Sequence, residues 1–120
     1  MAAKDVLGRA GEERAAAHLA ASGFRIVDRN WRTREGELDI VATRGRALVV
    51  VEVKTRSTEW FGHPFAAIDA RKRRRLWHLA CAWVVAHPDL ARGRRLRIDV
   101  IGITGADPHT ALLEHLEDLR

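Results

Sequence analysis

Between Glu37 and Thr55 the chain reads as two apolar strands, Glu37 to Thr43 and Ala47 to Thr55, separated only by Arg44-Gly45-Arg46. Strands so close in sequence pair as a hairpin, and their apolar residues need further layers to cover them. Asp39, Glu52 and Lys54 stand inside these strands. A carboxylate in a half-buried strand is costly unless a cation or a hydrogen-bond donor meets it. Burial and charge therefore have to be reconciled at one place, which constrains fold and function together.

The pleat makes this a question of parity, because successive side chains point to opposite faces. Glu35, Glu37, Asp39 and Val41 are expected on one face of the first hairpin strand, with Leu38, Ile40 and Ala42 on the other. On the second strand, Leu48, Val50, Glu52 and Lys54 share a face opposite Val49, Val51 and Val53. A two-residue loop at Arg44-Gly45 sets Asp39 diagonal to Glu52, and one at Gly45-Arg46 sets the two directly opposite. Either register holds both carboxylates on one face, about 5–8 Å apart at Cβ. A three-residue loop separates them unless a bulge restores the parity. Carboxylates at this range raise each other's pKa unless a cation lies between them. Mg²⁺ takes oxygen ligands and retains several waters, so it needs only one or two carboxylates beside a substrate phosphate. Lys54, in phase with Glu52, is placed to hold a water or to offset charge growing on a phosphate. The chemistry this supports is metal-assisted hydrolysis of a phosphodiester. Glu52-Val53-Lys54 alone reads as a solvated strand edge; Asp39 in phase on the neighbouring strand of a basic chain favours the metal reading.

Around the hairpin, residues 4–21 read as a helix with Val6, Ala10, Ala17, Leu19 and Ala20 among good helix formers, ended at Ser22-Gly23. Phe24 to Trp31 reads as a strand, residues 70–86 as a second helix stopped by His87-Pro88, and Leu96 to Ile103 as a further strand. Residues 56–65 are a loop rich in aromatics (Trp60, Phe61, Phe65). Thr110 to Arg120 fits a helix through Leu112, Leu113, Leu116 and Leu119, and a strand through the alternation of Leu112, Glu114 and Leu116. The order α-β-β-β-α-β predicts an α/β fold with a mixed central sheet flanked by helices. With 120 residues, one domain spanning 1–120 can bury its own core.

Five motifs carry a more specific likeness: Gly8-Arg9-Ala10-Gly11-Glu12, Asn30-Trp31-Arg32-Thr33-Arg34, Gly36-Glu37-Leu38-Asp39, Val51-Glu52-Val53-Lys54-Thr55-Arg56 and Arg71-Lys72-Arg73-Arg74-Arg75-Leu76. Together they resemble the bacterial YraN family within the PD-(D/E)XK nuclease superfamily, from Gly8 to about Ile103. Asp39 corresponds to its D and Glu52-Val53-Lys54 to its E-x-K, with Leu38 in the place of the usual proline. The resemblance implies a restriction-endonuclease-like core similar to that of archaeal Holliday-junction resolvases, in which a first-helix Glu joins the metal site four residues after a glycine. Gly8 and Glu12 have that spacing here. What it implies is a site of Glu12, Asp39, Glu52 and Lys54, with Mg²⁺ or Mn²⁺ as cofactor. Glu37 is read as either a supporting carboxylate or a rim residue.

The net charge of +5 favours polyanionic partners. Arg71, Arg74 and Arg75 with His78 form one stripe of the second helix, and Arg32, Arg34 and Arg56 sit at the ends of the site strands; these are the expected phosphate contacts. Arg73 is expected to face elsewhere. Trp60-Phe61 is expected to stack on unpaired bases, while Trp31, Trp77, Trp83 and Cys81 are expected in packing. A single cysteine excludes a disulfide framework and a Cys-based zinc site and suits a reducing cytoplasm. No apolar segment follows the charged N-terminus, so no secretory signal is expected. The six histidines lack metal-ligand spacing on one helix, and Ser22 and Ser57 lie outside any nucleophile elbow. Two functional classes lead: a metal-dependent endonuclease acting on DNA, branched DNA included, for which a homodimer would supply two sites, and a non-catalytic nucleic-acid-binding or adaptor module on the same scaffold; an interaction protein whose basic helix contacts an acidic partner is a third.

Overall fold

In the computed structural model, which describes residues 3–60 and 62–119, three elements precede the hairpin turn: helix α1 (Ala3–Ala21) and strands β1 (Arg25–Thr33) and β2 (Gly36–Arg44). Strand β3 (Ala47–Arg56) leads through a 3₁₀ turn at Pro64–Ala67 into α2 (Ala70–Ala86) and the short α3 (Pro88–Ala91). Strands β4 (Arg95–Thr104) and β5 (Leu112–Leu116) complete a five-stranded sheet in the order β1-β2-β3-β4-β5. The β3–β4 pair is parallel and the others antiparallel. Parallel neighbours need a crossover, and α2 supplies it. This is the α/β mixed sheet flanked by helices expected of a restriction-endonuclease-like core. No described helix is long and apolar enough to cross a membrane. Phe61 lies outside the described residues.

The unbroken apolar run of β3 follows from its central place. Val49 and Val51 pack beneath Ala15, Ala16 and Leu19 of α1, while Leu48 and Val50 pack beneath Leu76, Leu79, Ala80 and Trp83 of α2. A strand covered on both faces loses the alternation of a half-exposed one. On α1 the covered residues are Ala15, Ala16 and Leu19, and not Ala17 and Ala20, which are exposed. Cys81 is exposed rather than packed, because the buried stripe of α2 runs through Leu76, Leu79, Ala80 and Trp83. Trp83 is fully buried and donates from Nε1 to Asp28 Oδ2 at 2.8 Å, and Trp31 and Trp77 pack beside it.

The tail is a strand because of one buried carboxylate. Asp99 of β4, 0% exposed, accepts from Arg97 Nε at 3.0 Å and Nη2 at 3.1 Å, and from the Asp118 backbone at 3.0 Å. His115 Nε2 of β5 lies 2.8 Å from its Oδ2. Leu113 then packs into the core while Leu112 and Leu116 face outward. Burial pushes the Asp99 pKa up, but the His115, Arg97 and Asp118 bonds outweigh it and hold the group below its ordinary value.

A carboxyl with a lowered folded-state pKa stabilises above its unfolded value, and that stability is lost as pH falls through the folded value. Asp99→Asn is therefore expected to cost about 2–4 kcal/mol at pH 7, with the deficit shrinking below about pH 4. Urea unfolding at pH 7 and pH 3 checks this; equal stability of the two proteins at pH 7 would contradict it.

Candidate metal centre at a fork between two strands

The hairpin turn is two residues long. Arg44 pairs with Ala47 across Gly45-Arg46, and Gly45 takes φ 59°, the left-handed conformation that suits glycine at the first central position of such a turn. Of the two registers open to a two-residue loop, this is the one that sets Asp39 opposite Glu52. The β2–β3 ladder runs from Arg44–Ala47 to Ile40–Val51 and stops there. At the next position Asp39 Oδ2 accepts from the Val53 backbone N–H at 2.8 Å. A side-chain oxygen thus stands where a strand carbonyl would have stood, and the two strands fork.

The fork also departs from simple alternation. Leu38 was expected with Ile40 and Ala42, yet it packs on the α2 side with Val41, while Ile40 and Ala42 face α1. The cause lies on β1, where Asn30 adopts φ 54°. Asn tolerates this left-handed conformation better than most residues. Beyond it Trp31 and its partner Leu38 both lie on the α2 side. The Asn30 amide nitrogen, turned toward the carboxylates, reaches Glu12 Oε1 at 3.0 Å and Glu37 Oε1 at 2.9 Å. Glu37 consequently belongs with Glu12 rather than with Asp39.

The Glu52 side chain lies against Asp39 as well. Burial, then the closeness and charge of Glu52, push the Asp39 pKa up to about 9, with Glu12 adding to the rise and the Val53 N–H opposing it. Without a cation, Asp39 keeps its proton at neutral pH. Glu52 is 4% exposed. Its Oε2 accepts no aligned hydrogen bond, although Lys72 Nζ lies 3.0 Å away and Lys54 Nζ 4.0 Å away.

Glu12 reaches this region because α1 is pressed onto the end of β3. A Cβ on Gly11 would lie 2.0 Å from Thr55 Oγ1 and 3.0 Å from Thr55 Cβ and Cγ2. The glycine that matters for this approach is Gly11, since a Cβ on Gly8 would meet nothing within 4 Å. Burial raises the Glu12 pKa, and Glu37 raises it further against the pull of Arg29. Glu12 stands back from the Asp39–Glu52 pair, and the three do not bring one oxygen each within 4.8 Å of one another.

Arg34, Arg71, Arg74 and Arg75 are exposed. Arg32 is exposed too and pairs with Glu37 at 3.3 Å, and half-buried Arg56 donates to the Thr55 carbonyl at 3.3 Å. His78 pairs with Glu35 at 2.5 Å. Lys72 of α2 touches the fork through Glu52, and the expected stripe omitted it. Its signal was in the sequence: Lys72 precedes Leu76, Leu79 and Trp83 by four, seven and eleven positions, placing it on the buried stripe. Exposed Trp60, at 82%, stands on the loop after β3.

The fold also brings histidines to carboxylates that are distant in sequence. His63 Nε2 lies 2.6 Å from Glu114 Oε1, with Glu59 nearby, and its Nδ1 accepts from the Phe65 N–H at 3.1 Å. With Nδ1 accepting, the ring proton sits on Nε2 and faces Glu114, so the group ties the loop to β5. In the second cluster, Asp99, His115 and Glu117, the two carboxylates already pair with the Arg97 guanidinium and His115 bonds to Asp99.

The model of the uncharacterised protein family UPF0102 matches residues 11–103. The chain is 50% identical over 116 residues to a UPF0102 protein of Arthrobacter sp. (strain FB24), covering 97% of each chain. It is 50% identical over 116 residues to a UPF0102 protein of Paenarthrobacter aurescens (strain TC1), covering 97% of this chain and 94% of the relative. A UPF0102 protein of Clavibacter michiganensis subsp. michiganensis (strain NCPPB 382) is 52% identical over 97 residues, 81% of this chain and 80% of its own.

Two outcomes follow from the fork. A raised carboxyl pKa makes the folded protein bind more protons than the unfolded chain, so metal-free stability falls as pH climbs from about 4 toward 9. Asp39→Asn, which mimics the protonated acid, should gain on the wild type across that range, by about 1–3 kcal/mol at its upper end. Thermal melts in chelator at pH 5 and pH 9 test it; a gap that does not widen with pH would refute the account. Gly11→Ala should destabilise by about 1–3 kcal/mol through overpacking against Thr55, whereas Gly8→Ala should be neutral or mildly stabilising. Denaturant midpoints separate the two, and equal midpoints would remove the steric argument.

Proposed function

The chain belongs to the UPF0102 family, and from the geometry of its carboxylate fork we propose that it is a divalent-metal-dependent endonuclease hydrolysing phosphodiester bonds of DNA, branched DNA in particular. The observation that carries this reading is the Asp39–Glu52 pair. Glu52 stands against Asp39 and pushes its pKa up, while a buried Glu52 oxygen has no aligned donor. Two carboxylates crowded together, with spare acceptor capacity, fit a hard divalent cation with oxygen preference. Asp39 and Glu52 would hold Mg²⁺ or Mn²⁺, with Glu12 completing the set through its own oxygen or a water. Such an ion, when bound, supplies a Lewis acid and a more acidic water.

The remaining roles belong to this chain's own side chains. Lys54, one strand position in phase beyond Glu52, orients the attacking water and offsets charge growing on the phosphate. Arg32, Arg34 and Arg56 at the strand ends, and Arg71, Arg74 and Arg75 on α2, hold flanking phosphates and make binding salt-dependent. Trp60 is free to stack on an unpaired base. The resemblance of Asp39 and Glu52-Val53-Lys54 to the PD-(D/E)XK pattern, and of the chain from Gly8 to about Ile103 to the YraN family, supports the same assignment. Symmetric cleavage of a four-way junction needs two sites, which favours a homodimer as the acting form.

One observation favours a second reading. Lys72 Nζ sits 3.0 Å from Glu52 Oε2, so a cation of the protein itself already neutralises that group. A module that binds nucleic acid without cleaving it would keep this arrangement permanently.

Cleavage assays with Mg²⁺ and Mn²⁺ on duplex, single-stranded and four-way-junction DNA distinguish them. The endonuclease reading expects metal-dependent cleavage that falls by about 10²–10³-fold in Asp39→Ala, the scale of losing an electrostatic element of a site. Absence of cleavage with either metal, together with salt-sensitive DNA binding that survives Asp39→Ala, would establish the second reading instead.

A further inference from the structure

We infer that Lys72 is an internal counter-ion that competes with the divalent metal for Glu52 and, once displaced, becomes a phosphate-holding group of the site. This rests on the proposal that Asp39 and Glu52 bind metal, and it adds a residue and a switching role to that site.

The placement is built by α2. Asp69 caps the helix, its Oδ1 accepting from the Lys72 backbone N–H at 2.8 Å. The cap fixes where the helix starts, and the buried Leu76 and Leu79 fix how it is rotated. Between them they aim Lys72 at the sheet, while Arg71, Arg74 and Arg75 point outward. The Lys72 side chain is 30% exposed and its partner Glu52 only 5%. Lys54 is farther from the same oxygen, 4.0 Å against 3.0 Å. Glu52 Oε2 has no aligned hydrogen bond despite both ammonium groups. The contact is thus a charge contact without directional locking, the kind that a rotation of one long side chain can exchange.

Five basic residues in the first turns of α2 work against the positive end of its dipole. Glu52 is the internal anion that offsets this for Lys72. A divalent cation drawing on Glu52 removes that anion, and the Lys72 ammonium is left at the rim of a basic surface with one strong need, an anionic oxygen. A phosphate oxygen of a substrate held by the neighbouring arginines meets it. Lys72 would then act in two states: guarding Glu52 in the absence of metal and holding phosphate in its presence.

The test uses the full chain and Mn²⁺ alone, followed by electron paramagnetic resonance and calorimetry, in wild type, Lys72→Met, Lys72→Arg and Asp39→Asn. Side-chain replacement leaves the Asp69 cap intact because the cap uses the Lys72 backbone; circular dichroism verifies folding. Removing the competing charge should tighten Mn²⁺ binding roughly tenfold in Lys72→Met, with little change in Lys72→Arg. Junction DNA binding to the protein loaded with Ca²⁺ should weaken in Lys72→Met and recover in Lys72→Arg. Mn²⁺ binding that Asp39→Asn abolishes but Lys72→Met leaves unchanged or weakens would overturn the role of Lys72 and spare the metal site. No Mn²⁺ binding by wild type or Lys72→Met would overturn both.

Discussion

One hydrogen bond organises the end of this molecule that holds the candidate site: the Val53 N–H given to the Asp39 carboxylate in place of a strand carbonyl. A strand that surrenders a ladder position normally leaves a buried donor unsatisfied, at a cost of about 1–3 kcal/mol. Here an acid satisfies it, so the sheet can open without that penalty. The opening admits Glu52 to the same space and lets Glu12 and Glu37 approach from the α1 side. A backbone requirement and a concentration of carboxylates are met by the same few atoms.

The sheet contains two buried carboxylate groups that solve the problem of charge in opposite ways. Asp99 is surrounded by fixed donors from Arg97, His115 and the Asp118 backbone, and its charge is fully compensated within the fold. Asp39 and Glu52 are compensated only in part, by the Val53 N–H and by lysines on flexible stems. The first arrangement is structural, joining β5 and the tail to β4. The second is unfinished in a way that a bound ion could complete, and this contrast within one sheet separates a scaffold carboxylate from a candidate site carboxylate.

Much of this was legible in the sequence because hairpin parity is strict. The run from Ala47 to Thr55, its glycine turn and the apolar stripe of α2 mark the central strands and narrow their register to a few loop lengths, of which the Arg44–Ala47 pairing selects one. What escaped depends on contacts between distant segments. The rotation of Leu38 to the α2 side follows from Asn30 on the neighbouring strand, which no pattern within β2 contains. The tail was ambiguous because its strand character comes from His115 meeting Asp99. Lys72 was legible in principle, four residues before Leu76, but was hidden by the charged neighbours around it. Exposure of Cys81 shows the converse: apolar surroundings in sequence did not mean apolar surroundings in space.

The contact between Gly11 and Thr55 has a mechanical consequence. Helix and strand meet there with no clearance for even a methyl group, so α1 cannot advance toward the fork. Glu12 has already been carried as far as the backbone permits, and any remaining distance to the Asp39–Glu52 pair has to be closed by torsions of its own side chain. Its arrival would be a choice among rotamers, released from the Asn30 amide, rather than a movement of the helix. The third carboxylate behaves as a latch on a fixed post, with a reach set by the length of a glutamate.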